Sequence, residues 1–119
     1  MTTKEVNELV AGFGLPYAYY QFEQNTVQAP PFLAFFFGRS DDFQADNRNF
    51  QPIRELNIEL YTERKDFGLE ERLENRFSDL ELPYDKEETY LDKERMHMTS
   101  YTMDVIITPE KEESAHAGK

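Results

Sequence analysis

Apolar and polar positions recur along this chain with two different periods, and the switches between them mark out the elements. Val6, Leu9, Val10 and Phe13 fall at i, i+3, i+4 and i+7, which puts four apolar side chains on one face of a helix. Thr2 followed three residues later by Glu5 has capping-box spacing, and Gly12, Gly14 and Pro16 supply a stop. The stretch Tyr17 to Glu23 is rich in aromatics and bounded by Pro16 and Asn25, so it predicts a strand. After Pro30-Pro31 the run Phe32 to Phe37 predicts a second strand ending at Gly38. Residues 39–52 are polar and turn-rich around Asp41-Asp42, Asp46-Asn47 and Asn49, with room for a short extended arm between Phe43 and Phe50.

The second half is sharper. Leu56, Ile58, Leu60 and Thr62 alternate with Asn57, Glu59 and Tyr61, the period of a strand with one buried side. Asp66 can cap a helix over Phe67 to Leu80 whose stripe is Leu69, Leu73, Phe77 and Leu80, with Glu70, Glu71 and Glu74 expected on its solvated surface. Pro83 ends that stretch. Thr89-Tyr90-Leu91 suits a strand, Asp92-Lys93-Glu94 a turn, and Met96 to Thr108 a long last strand with Tyr101, Met103, Val105 and Ile107 on one side. Short strands with polar turns, and only two helices, predict an α+β fold. It has an antiparallel sheet of about four to six strands and both helices on one face. Residues 1–109 form one domain in this reading, and 110–119 a disordered tail.

Composition narrows the function classes. The 119 residues carry 24 acids against 13 bases, a net charge of −11, so a nucleic-acid backbone or an anionic membrane is an unfavourable partner. The excess is spread as −4, −5 and −2 over residues 1–62, 63–95 and 96–119, the pattern of a solvated surface rather than an acidic tail. There is no Cys, so disulfides, thiolate nucleophiles and Cys-ligated metals are excluded. The first residues lack the cationic start and apolar run of a secretory signal, and no apolar run approaches a bilayer span, so a soluble protein made in a cytoplasm is expected.

Candidate chemistry is sparse. His97 sits between methionines on a strand and His116 in the tail, with no spacing that suggests a zinc site. Asp41-Asp42 reads as turn chemistry, and Glu87-Glu88 would point to opposite faces of a strand. There is no nucleophile elbow and no Gly-rich phosphate loop, so neither catalysis nor a cofactor is expected.

The informative segment is Phe32-Leu33-Ala34-Phe35-Phe36-Phe37. Leu33, Phe35 and Phe37 face one side of a strand, and Phe32, Ala34 and Phe36 the other. A sheet with helices on one face needs only one apolar side. Either the chain covers the second side itself, through the turn-rich arm, the first helix or sheet curvature, or a neighbouring subunit does. Tyr17, Tyr19, Tyr61, Tyr90 and Tyr101 on predicted strands add residues of the kind enriched at interfaces.

The stretch Leu56-Asn57-Ile58-Glu59-Leu60-Tyr61-Thr62-Glu63-Arg64-Lys65-Asp66 leads into a Glu-rich helix. It resembles the core of small head–tail joining, or tail completion, proteins of long-tailed phages and prophages of Gram-positive bacteria. Leu15-Pro16-Tyr17-Ala18-Tyr19-Tyr20 fits the same pattern, as do Ala45 to Phe50 and the residues from Tyr84 through Thr89-Tyr90-Leu91 to Met96 and Tyr101. The likeness covers about residues 15 to 107 and rests on the order and spacing of the motifs; the Phe32–Phe37 run is more aromatic than the pattern.

The resemblance implies a tail-terminator-like fold and a non-enzymatic virion part at the head–tail interface, assembled in the host cytoplasm. Its partners would be itself, as a ring that is commonly a hexamer, the tail tube protein and the head connector protein. One face would cap the tube and the other would dock on the connector, with DNA passing through without specific binding. The expected contacts are Phe32, Phe36, Arg39, Asp41, Asp42, Phe43, Asp46, Asn47 and Tyr61. A rival reading is a small acidic inhibitor or DNA-mimic binding module, although Arg64, Lys65, Arg72, Arg76, Lys86, Lys93 and Arg95 interrupt the acids. A further rival is a small enzyme or ligand-binding domain, which requires a deep pocket.

Overall fold

The computed structural model describes residues 1–21, 28–40 and 53–108. The Thr2 hydroxyl oxygen accepts a hydrogen bond from the Glu5 amide, and the Glu5 carboxylate accepts one from the Thr2 amide, so the capping box starts α1 (Thr3–Ala11) as its spacing predicts. Asp66 likewise accepts from the Leu69 amide at the start of α2 (Phe67–Asp79). Between and after the helices lie β1 (Tyr17–Tyr19), β2 (Phe32–Ser40), β3 (Ile53–Thr62), β4 (Asp85–Leu91) and β5 (Met96–Ile106). They form one five-stranded sheet in the order β1-β2-β3-β5-β4, and the fold is α+β.

Both helices pack on one face. Val6, Leu9 and Val10 of α1, Phe13 just beyond it, and Leu69, Leu73 and Phe77 of α2 share a core with Leu33, Phe35, Leu56, Ile58, Leu60, Tyr101, Met103 and Val105. Each of these strand residues is an inward position of the alternation read from sequence. Phe77 is the hub, meeting Phe13, Tyr84 and Tyr101 edge-on with centroids 5.2 to 6.2 Å apart.

Three expectations need correction. β1 stops at Tyr19, because Tyr20 takes a left-handed backbone (φ 72°) that turns the chain out of the strand. β1 also runs parallel to β2, not antiparallel: Leu33 N–H donates to Pro16 O and Tyr20 N–H to Phe35 O. The stretch from Tyr20 to Pro31 is long enough for the return that a parallel pair requires. Finally, β2 does not end at Gly38. It continues to Ser40 through a register irregularity after Phe37. A Cβ on Gly38 would sit 2.7 Å from Glu55 Oε1 and 3.1 Å from Asn57 Nδ2, so the missing side chain admits a close cross-strand neighbour.

Candidate functional site

The outward face of the sheet is built by the residues between the core positions. Pairing in register places Phe32 opposite Tyr61, Ala34 opposite Glu59, and Phe36 opposite Asn57. Beyond β3, Tyr61 is paired with Met98, Glu59 with Ser100, Asn57 with Thr102, and Glu55 with Asp104. β4 adds Asp85, Glu87 and Thr89 opposite Thr102, Ser100 and Met98. Paired residues share a face, so these side chains all stand away from the helices.

Two aromatic stacks occupy one side of this surface. The Phe32 and Tyr61 rings lie 4.7 Å apart and 15° from parallel. Phe36 and Tyr20 stack at 5.0 Å with the same small tilt. The left-handed backbone at Tyr20 takes its ring out of the strand alternation and over Phe36, leaving Tyr20 60% exposed. The Phe32 and Phe36 rings are therefore half-buried rather than open, and Ala34 between them is buried. The chain itself supplies part of the cover expected of a neighbour. No described helix lies over these rings, since α1 and α2 pack on the opposite side.

The remainder of the face is acidic. Glu55, Glu59, Asp85, Glu87 and Asp104 point outward, and among the outward positions of β3 to β5 there is no Lys or Arg. The Tyr61 hydroxyl donates to Glu59 Oε1 at 2.7 Å, and Thr102 donates to Asn57 at 2.9 Å. Burial of the Tyr61 phenol, reinforced by the Glu59 carboxylate, pushes its pKa well above that of an ordinary tyrosine, so it remains a hydrogen-bond donor.

Of the residues singled out by sequence, Phe32, Phe36 and Tyr61 meet on this face. Arg39 is a residue of β2, whereas Asp41, Asp42, Phe43, Asp46 and Asn47 lie outside the described residues. Sequence reasoning missed Tyr20 as part of the face, because strand alternation does not foresee a left-handed residue. The five outward acids were individually visible; the strand pairing needed to group them was not.

A second cluster lies on the inward side, where α2 crosses β4 and β5. Glu70, expected at the surface, is only 2% exposed. Its carboxylate pairs with Lys65 at 2.7 Å and Lys86 at 3.0 Å, and Thr99 donates to it at 3.3 Å. Lys65 also reaches Glu88 at 2.8 Å, Lys86 reaches Glu74 at 2.7 Å, and the Tyr101 hydroxyl donates to Glu74 at 2.7 Å. Burial by itself would raise the Glu70 carboxyl, but the two ammonium groups outweigh it and hold the pKa below the usual value. Hydrogen bonding to Glu74 leads the causes that raise the Lys86 ammonium. Burial, then Glu74, raises the Tyr101 phenol. Glu70, Lys86 and Tyr101 are thus each held in their ordinary ionisation state, which suits a structural tie more than proton transfer.

Other features carry less. Among the described residues no three His, Asp or Glu side chains are grouped to hold a metal ion, and no helix is long and apolar enough to cross a membrane. A shallow groove of about 500 Å³ runs between the helices past Leu9, Phe13, Arg72 and Arg76, where Arg72 donates to Phe13 O at 2.7 Å. Phe67 is 73% exposed, with the Lys65 ammonium 5.1 Å from its ring centroid. A scan against models of known protein families finds no match to this chain, and a search of curated protein sequences finds none either.

Proposed function

We propose that this chain is a structural assembly protein of the head–tail junction of a long-tailed phage or prophage. It would cap the tail tube and dock the tail on the head connector as a ring, working by shape rather than catalysis. The observation that carries the reading is the outward sheet face. It presents two stacked aromatic pairs, Phe32–Tyr61 and Phe36–Tyr20, on the side that neither helix covers. Apolar rings beside polar neighbours suit contact with another protein surface. The sequence motifs around Leu56–Asp66 supply the specific assignment to this class of phage protein, and the excess negative charge suits a channel wall past which DNA slides. Each subunit of a closed ring uses two different, mutually complementary surfaces, so the aromatic face would be one partner of a heterologous pair.

Electron microscopy of phage produced without this chain tests the reading. Filled heads beside unattached tails are the expected outcome, and normal virions would overturn it. The five outward acids favour one second reading, an acidic module that occupies the cationic site of a nucleic-acid-binding protein. Release of DNA from a host nuclease or repressor in a gel shift would support that alternative.

A further inference from the structure

We infer that the outward sheet face docks a protein segment bearing arginine side chains. The inference rests on this face being the working surface, as in the proposed function, and adds the chemistry of what it meets. Charge sign is the first argument. Glu55, Glu59, Asp85, Glu87 and Asp104 stand outward, while the bases of the same strands, Arg54 and Lys86, occupy inward positions of the alternation. Two copies meeting through this same face would oppose acids with acids, so like-face pairing is disfavoured and a cationic partner is favoured.

The second argument is the placement of rings beside carboxylates. Glu59 is tied to the Tyr61 hydroxyl at 2.7 Å, and the Tyr61 ring is stacked on Phe32. Carboxylates on the same face as an exposed ring, Tyr20 at 60% where it stacks on Phe36, offer a guanidinium both of its preferred contacts, a hydrogen-bonding edge and a π face. The ammonium of lysine, a compact and strongly hydrated point charge, makes the second contact less well. The Tyr61 phenol retains its proton and orients Glu59, so the pair is preorganised before the partner arrives. The Phe36–Tyr20 stack supplies a second ring surface along β2.

The test is a magnetic-resonance titration of the isotope-labelled full chain with a short oligoarginine peptide, and with oligolysine of equal length. Amide shifts are expected at Glu59, Tyr61, Glu87 and their outward neighbours, with arginine binding more tightly than lysine. Neutralising the face with Glu55→Gln, Glu59→Gln and Glu87→Gln together is expected to weaken binding about tenfold. Neutralising three helix-side acids instead, by Glu8→Gln, Glu71→Gln and Asp79→Asn, is expected to change it less than about twofold. Equal losses in the two variants, shifts centred on the helices, or lysine binding as tightly as arginine would each overturn the inference. The readout is independent of head–tail joining. Normal virions without the chain would discard the phage reading and leave the docking chemistry standing, and unattached tails beside a failed titration would do the reverse.

Discussion

On the inner face of the sheet Glu70 is enclosed by Lys65, Lys86 and Thr99, whereas on the outer face Glu59 is held by the Tyr61 hydroxyl and stands between Ala34 and Ser100. Both are glutamates beside strand aromatics. The inner one has its charge balanced within the chain, so it fastens α2 to β4 and β5 and offers nothing to a visitor. The outer one has no cation among the outward positions of β3 to β5 to balance it, so it is left open to water or to a cationic partner. The aromatics divide in the same way: Phe77 is fully buried among three other rings, while Phe36 is sheltered on one side by Tyr20. Identical residue types thus serve folding on one side and, in the proposed function, contact on the other, according to what lies above them.

That contrast can be broken most severely at Phe77. Phe77→Ala removes the ring that joins both helices to the sheet and is expected to cost about 3–5 kcal/mol in urea denaturation. A loss under about 1 kcal/mol would mean that the inner face is not where stability resides. Glu70→Gln keeps the shape and removes the charge, with an expected cost of about 1–3 kcal/mol at neutral pH. Its pH dependence sharpens the point. The Glu70 carboxyl titrates below its ordinary value of 4.5 in the folded chain, so its stabilisation is complete above that value and lost as pH falls through the depressed pKa. Acid denaturation of the wild type is expected to be steeper in that window than that of Glu70→Gln, and superimposable slopes would contradict it.

The smallest effect on stability is expected on the outer face. Phe36→Glu forfeits one ring stack, about 1 kcal/mol or less, and the protein should stay folded by circular dichroism. The same variant is expected to abolish joining of heads to tails, and full joining by the folded variant would remove Phe36 from the interface.

Much of the inner face was legible in the sequence because it depends on local periods. Leu56, Ile58, Leu60 and Thr62 are buried as their alternation requires, and Thr2, Glu5 and Asp66 cap as their spacing requires. Glu70 escaped because a glutamate on a helix reads as solvated. Its position relative to Leu73 and Phe77, at i, i+3 and i+7, was the available sign that it shares the buried stripe. The parallel pairing of β1 and the grouping of outward acids were not legible, since both depend on which strands lie side by side. Phe32, Phe36 and Tyr61 could be nominated from alternation; that Phe32 and Tyr61 stand directly opposite one another follows only from register.

Strand β4 closes one margin of the sheet with Asp85, Lys86, Glu87 and Glu88 in succession, and nearly its whole length is open to water. Charged margins of this kind resist ribbon-like growth, in which one molecule's backbone zips onto the next. Copies brought together at high local concentration are thereby steered away from endless fibres. On this margin, any meeting of copies is left to side chains rather than to the backbone ladder.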